Sequence, residues 1–137
     1  MRTRTSLLAA VTLLLCAAPP VLEGQSRRPI DIPDLFRQAT IGQVTVSPDG
    51  TRVLYTLTPG SYPAPSRDQQ IHLANLDGSQ DRPMTRAPGA QNQGAQWHPS
   101  GEFFGFTSTR GEGGRQVYLM WPDGGEARRV TSAAGGV

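Results

Sequence analysis

Val44-Thr-Val-Ser-Pro-Asp-Gly50 and Ala95-Gln-Trp-His-Pro-Ser-Gly101 lie 51 residues apart and share one pattern. Each is a short extended run closed by a four-residue turn. In the first turn Pro48 presets φ at the second position, Asp49 tolerates the third and Gly50 supplies a permissive fourth. His98-Pro-Ser-Gly101 repeats that chemistry. Working outward, Arg52-Val-Leu-Tyr-Thr56 matches Phe103-Phe-Gly-Phe-Thr107 at the same offset of 51. Gln70-Ile-His-Leu-Ala-Asn-Leu-Asp-Gly78 then matches Gln116-Val-Tyr-Leu-Met-Trp-Pro-Asp-Gly124 at an offset of 46, and Arg82-Pro-Met-Thr85 matches Arg128-Arg-Val-Thr131 at 46 again. The difference in offset falls within one connection, Pro59–Arg67, which is longer than its counterpart Arg110–Arg115.

Each unit reads as a four-stranded antiparallel sheet. Strands are expected near 43–47, 52–58, 69–76 and 82–85, then near 94–98, 103–108, 115–121 and 128–131. Val53–Leu57 and Phe103–Thr107 are almost continuously apolar or aromatic, as in a strand covered on both faces. Asp77-Gly78 and Asp123-Gly124 are hairpin signals. A repeat of about 45–50 residues holding four short strands points to a β-propeller blade. The fold class is therefore all-β: two blades, about 43–88 and 94–131, of an incomplete propeller. Propellers close with roughly 4–8 blades, so the chain is expected to end inside a larger architecture.

Ahead of the blades, residues 1–24 read as a secretory signal peptide. Arg2 and Arg4 precede a 12-residue apolar core, Leu7–Ala18, and small and turn-forming residues follow. That core is too short to span about 30 Å of hydrocarbon, so no membrane anchor is expected after cleavage. Cleavage is placed after Gly24, because Pro19 would obstruct the peptidase behind Ala18. Leu15, directly before Cys16, departs from the small residue of a lipoprotein signal. Cys16 is the only cysteine, which excludes disulfides and cysteine-based metal sites from the mature chain. These features fit a periplasmic or secreted bacterial protein.

All 13 basic residues are arginine, and loss of Arg2, Arg4 and Glu23 lowers the formal charge from +2 to +1. With no basic run longer than two residues, nucleic-acid binding has no support. Sixteen glycines and twelve prolines make up about a fifth of the 137 residues, a level suited to short strands and tight turns.

Val46-Ser-Pro-Asp-Gly50, Gln96-Trp-His-Pro-Ser-Gly101 and the Asp123–Thr131 ending resemble TolB-like propeller repeats, found in TolB and in the prolyl oligopeptidase family of serine peptidases. Within 25–42, Ile30–Ala39 resembles the helix that opens the propeller in acylaminoacyl- and dipeptidyl-peptidase-like members. Asp31 is its expected N-cap, with Pro33 and Asp34 in the first turn. Leu35, Phe36 and Ala39 form its apolar face, and Gly42 ends it. His98 and Ser100 depart from the usual Ser and Asp of the turn. The resemblance implies a propeller that gates a separate hydrolase domain, whose Ser-Asp-His triad cleaves short peptides. The partners implied are the remainder of propeller and hydrolase, together with short peptides.

The chain itself carries no Gly-x-Ser-x-Gly elbow, so no catalytic, cofactor-binding or metal-binding residue is assigned and no cofactor is expected. His72, on a strand, and His98, in a turn, read as structural or solvated, with no spacing that places either beside a serine. Asn75–Asp81 reads as a hairpin turn rather than a calcium loop, since Leu73 stands where the first acidic ligand belongs. Trp97 and Trp121 read as packing between blades, and Arg110–Arg115 as a solvated loop. The alternatives to a peptidase segment are a non-catalytic TolB-like interaction module of the envelope and a propeller fused to another hydrolase such as an amidohydrolase.

Overall fold

The computed structural model describes residues 28–137; the signal-peptide reading of 1–24 lies outside them. A short helix α1 (Ile32–Phe36) precedes eight strands: β1 (Thr40–Val46), β2 (Arg52–Thr58), β3 (Gln70–Asn75), β4 (Arg82–Pro83), β5 (Asn92–Trp97), β6 (Phe104–Ser108), β7 (Gln116–Met120) and β8 (Arg128–Arg129). They form two four-stranded sheets, in the orders β1-β2-β3-β4 and β5-β6-β7-β8. All neighbouring pairs are antiparallel.

Register repeats with sequence. Val46 opposes Val53 as Trp97 opposes Phe104, and Leu54 opposes Leu73 as Gly105 opposes Leu119. The turns that set these registers close in the same way. Gly50 N–H donates to Ser47 O at 2.9 Å and Gly101 N–H to His98 O at 2.8 Å. Both glycines hold φ near +70° (71° and 73°), a region costly for residues with a Cβ.

The first strands begin earlier than the sequence pattern indicates, at Thr40 and Asn92. The reason is a bulge in each, between Ile41 and Val44 and between Gln93 and Gln96. A bulge absorbs an extra residue and lets pairing continue past a glycine. Gly42 therefore lies inside β1 rather than ending the helix, which stops at Arg37. The N-cap forms as expected: Asp31 Oδ1 accepts from Ile32 N–H (2.7 Å), and Asp34 Oδ2 accepts from Asp31 N–H (2.9 Å). With only five residues, α1 buries no side chain; Leu35 is 63 % exposed, and Phe36 reaches Tyr62 at 6.1 Å between centroids. Ala39 lies beyond the helix.

The outer strands are shorter than expected because threonines take over the ladder. Ile71 N–H donates to Thr85 Oγ1 and Val117 N–H to Thr131 Oγ1, both at 2.9 Å. The Ile71 and Val117 carbonyls still accept backbone bonds, from Met84 N–H and Val130 N–H just past β4 and β8, so the side chains take over only the N–H half of the ladder.

The core lies between the sheets. Leu54, Ile71, Leu73 and Met84 of the first pack against Ala95, Phe104, Phe106, Tyr118 and Met120 of the second, with Trp97 and Ala127 beside them. Only one face of β2 is buried: Leu54 and Thr56 alternate with half-buried Val53, Tyr55 and Leu57. The sequence reading had both faces covered. Among the described residues a second sheet covers just one, leaving Ile41, Val44 and Val46 exposed beyond Leu57, Tyr55 and Val53. Strands β1 and β5 touch, whereas β4 and β8 do not. The blades thus converge at their first strands and splay outward, as blades around a channel do.

Candidate functional site

The seam between the blades brings the most chemistry together. Its midpoint is Trp97, whose indole Nε1–H donates to Thr45 O at 3.3 Å, while Thr45 Oγ1 donates to Ala95 O at 3.0 Å. The Trp97 ring meets Phe104 edge-on at 5.8 Å and carries the Arg52 guanidinium at 5.3 Å, an arrangement the ring quadrupole favours. Trp97 therefore packs between blades, as its repeat position indicates. Trp121 is 42 % exposed among the described residues, 6.1 Å from Phe103.

Trp121 lines an open groove of about 510 Å³ at the turn end of the seam, with Asp49, Arg52, Ser100, Glu102 and Asp123. The two turns that flank it are stapled differently. In the first, Ser47 Oγ donates to Asp49 Oδ1 (2.5 Å) and accepts from Arg52 N–H (2.9 Å). Hydrogen bonds from Ser47, then from Thr51, hold the Asp49 carboxyl at about 2, below its usual range. In the second, His98 Nδ1 stands 2.8 Å from Ser100 Oγ, and the imidazole stacks on Phe103 at 4.3 Å.

A histidine beside a serine is the contact the sequence reading missed. Its signal was there: His98 and Ser100 occupy the repeat positions of Ser47 and Asp49, whose side chains bond across the same turn. His98 Nδ1 also accepts from Ser100 N–H (3.2 Å), and Ser100 Oγ accepts from Glu102 N–H (3.3 Å). These are turn-closing bonds, and His98 forms no ion pair with a carboxylate among the described residues.

His72 lies on the far face of the first blade, opposite Tyr55. Its Nδ1 is 3.1 Å from Asp81 Oδ1, which also accepts from Tyr55 Oη at 2.8 Å. Burial first, then Asp81, pushes the Tyr55 phenol up to about 12. Burial alone would raise Asp81, but hydrogen bonds from Tyr55 and His72 hold it below its ordinary value. Among the described residues no serine, threonine or cysteine joins this cluster, which ties β2 and β3 to the loop before β4. Asp77 accepts from Ser79 N–H at 2.9 Å, so both acidic residues of the Asn75–Asp81 turn face protein donors. Among the described residues no three His, Cys, Asp or Glu side chains are grouped to hold a metal ion, and no helix is long and apolar enough to cross a membrane.

Arg110–Arg115 is not a plain solvated loop. Gly111–Gly114 are exposed, but both arginines are anchored. Arg110 lies over Phe106 and Tyr118, at 5.3 and 5.0 Å, and donates to Asn92 Oδ1 at 3.0 Å; burial lowers its pKa. Arg115 donates to Gln91 Oε1 at 3.0 Å and Thr107 Oγ1 at 3.4 Å. A second groove of about 430 Å³ lies at the bulged end of the seam, lined only by threonine, glutamine and glycine.

No family model matches the chain. Dipeptidyl-peptidase 5 of Porphyromonas endodontalis is 30% identical over 99% of the chain, and an uncharacterized peptidase of Bacillus subtilis, YuxL, is 27% identical over 76%. The chain spans 20% and 16% of their lengths. A solved TolB structure from Agrobacterium tumefaciens superimposes on 65% of the chain with a TM-score of 0.50 at 26% identity, the match taking in 29% of that structure. The relatives are named as peptidases, and the TolB structure agrees with the blade geometry: the chain is a TolB-like propeller segment.

Proposed function

We propose that these two blades belong to the substrate-gating propeller of an exported serine peptidase that hydrolyses short peptides, and that they hold no catalytic residue. The observation that carries this reading is a paired-blade seam whose first strands converge on a polar groove, in a chain similar almost end to end to a dipeptidyl-peptidase about five times longer. A channel of that kind admits short peptides and excludes long chains, folded or unfolded. The nucleophile, its base and the oxyanion donors would lie in a hydrolase domain outside residues 28–137. Residues 1–24 would direct export and be removed.

The test is size selectivity in the full-length protein. Dipeptide and tripeptide p-nitroanilides are expected to be cleaved, and a reduced, unfolded protein of 100 residues or more to be left intact. Cleavage of both at similar rates would count against a gating role. The likeness to TolB favours a second reading, a non-catalytic interaction module of the envelope. Full-length protein that is folded, shows no peptidase activity and co-purifies with envelope proteins would favour that reading.

A further inference from the structure

The leader and the long connection of the first blade together expose an apolar surface. Ile32, Leu35 and Phe36 stand three and four residues apart on α1, so they share one face. They are 64, 63 and 47 % exposed, and α1 buries none of its residues. Phe36 meets Tyr62 at 6.1 Å between ring centroids, and Tyr62 is itself 48 % exposed. Tyr62 belongs to Pro59–Arg67, the connection whose length differs between the blades. Gly60 seats that connection against the end of the helix, where a Cβ would overlap the Arg37–Gln38 peptide. The Asp31–Asp34 capping box and the Arg28–Asp34 ion pair hold the other end. The surface is thus fixed in shape, yet nothing among the described residues covers it. Apolar patches of this kind on a folded protein mark where another protein surface packs.

Its place in the fold selects what packs there. Thr40 and Thr58 border both the shallow pocket of about 170 Å³ beside Leu35 and Phe36 and the neutral groove at the bulged end of the seam. The chain also passes between blades at this end. Residues 86–91 carry it from β4 to the start of β5, where Asn92 N–H donates to Gln69 O at 2.9 Å. Residues 131–137 repeat that path. Gly136 N–H donates to Ala133 O as Ala90 N–H does to Ala87 O, at 3.1 and 3.2 Å, and Val137 N–H donates to Arg115 O. A domain joined to the propeller ahead of a first strand or behind such a link is therefore tethered at the bulged end. The opposite end of the seam presents Asp49, Glu102 and Asp123 instead.

We propose that the surface formed by α1 and Tyr62 is where the hydrolase domain of the same protein docks, so that the neutral groove, not the charged one, opens toward it. That this domain is a hydrolase rests on the gating role proposed above. That a domain of the same protein packs here rests on the apolar face, the tether and a relative about five times longer than this chain.

The test places the photo-crosslinking residue p-benzoylphenylalanine at Leu35, at Tyr62 or at Glu102 of the full-length protein and maps the products by mass spectrometry. Leu35 and Tyr62 are expected to cross-link to the domain that carries a Gly-x-Ser-x-Gly elbow, and Glu102, at the charged end, is not. Cross-links from Leu35 and Tyr62 only to propeller blades, only to a second copy of the protein, or to nothing overturn the proposal. So does capture of the elbow domain from Glu102 alone. Cross-links to a further domain without the elbow overturn the hydrolase assignment together with the gating role, whereas an elbow domain that cross-links only elsewhere overturns the docking surface alone. Leu35→Lys supplies a second readout. An exposed leucine is nearly neutral to the fold of its own blade, but a docked one is not, so the full-length protein is expected to melt several degrees lower. An unchanged melting temperature counts against docking. If Leu35→Lys does not fold, Leu35→Ser carries the same expectation, and the cross-links decide independently of either.

Discussion

Thr85 Oγ1 donates to Gln70 Oε1 at 2.8 Å while accepting from the backbone of Ile71, and the second blade repeats the bond from Thr131 Oγ1 to Gln116 Oε1 at 2.7 Å. Thr85 and Gln116 are fully buried, and each glutamine reaches further. Gln70 Oε1 also accepts from Asn92 Nδ2 at 3.2 Å, which ties the first blade to the second. Gln116 Oε1 accepts from Ala133 N–H at 3.2 Å. The lock closes each blade at its outer strand and passes the constraint onward along the chain.

Thr85→Val is therefore expected to destabilise the protein by about 1–3 kcal/mol, because it leaves the Ile71 amide and one Gln70 lone pair buried without partners. Thr131→Val should cost less, since Thr131 is more exposed. Chemical denaturation of the full-length protein measures both. A loss below about 0.5 kcal/mol for Thr85→Val would remove the lock as an organising contact.

Much of this architecture could be read from the repeat, and the misses have physical causes. Offsets of 51 and 46 located both sheets and the turns that follow β1, β3, β5 and β7, since each of those turns carries its own glycine. The bulges at Gly42 and Gly94 were not legible, because a glycine reads equally as a helix end or as a strand interruption. The sequence pattern puts Thr85 and Thr131 at strand ends, whereas their hydroxyls accept from the Ile71 and Val117 amides in place of a backbone carbonyl. Among the candidate site residues, the His98–Ser100 contact followed from the Ser47–Asp49 pair but needed the first turn's side-chain bond to be known. Arg115 gave no signal, since its neighbours Gln91 and Thr107 lie far off in sequence.

Acidification tests the first turn. The Asp49 carboxyl has a folded-state pKa of about 2 against an ordinary value of 3.8, owing chiefly to Ser47. A depressed carboxylate stabilises the fold above its unfolded pKa and loses that contribution as pH falls through the folded one. The staple's contribution should thus be full above about pH 4 and decline toward pH 2, with NMR amide signals of Thr51 and Arg52 shifting together about a midpoint near pH 2. Asp49→Asn should abolish the titration. Shifts centred near pH 4 would contradict the bonded geometry.

The uncovered faces predict how residues 25–137 behave alone. Ile41, Val44 and Val46 are 64, 57 and 49 % exposed along one sheet face. Apolar faces and unpaired strand edges of this kind invite association. Sedimentation velocity should show concentration-dependent oligomers, and Val44→Lys with Val46→Glu should reduce them. A monomer with a sharp cooperative melt would refute the expectation.

The His98–Ser100 pair permits the sharpest test of where catalysis lies. A serine nucleophile needs a base that removes its proton, a group that orients that base, and donors for the oxyanion. At 2.8 Å the imidazole is within reach of Ser100 Oγ, so distance alone does not exclude activity. The surrounding bonds argue against it. Ser100 Oγ is engaged by Glu102 N–H, and His98 Nδ1 by Ser100 N–H. The imidazole is held by stacking on Phe103 rather than by a carboxylate, and the turn glycine, Gly101, spends its N–H on His98 O. Both side chains thus close a turn, as Ser47 and Asp49 do in the first blade. A fluorophosphonate probe should leave Ser100 unlabelled, and Ser100→Asp, which restores the turn chemistry of the first blade, should preserve or raise the melting temperature of the full-length protein. Its peptidase activity, if the gating role is correct, should be unchanged in Ser100→Ala within about twofold, because the lost barrier stabilisation would be near zero. Stoichiometric labelling of Ser100, abolished by His98→Gln, would place a nucleophile in the propeller itself.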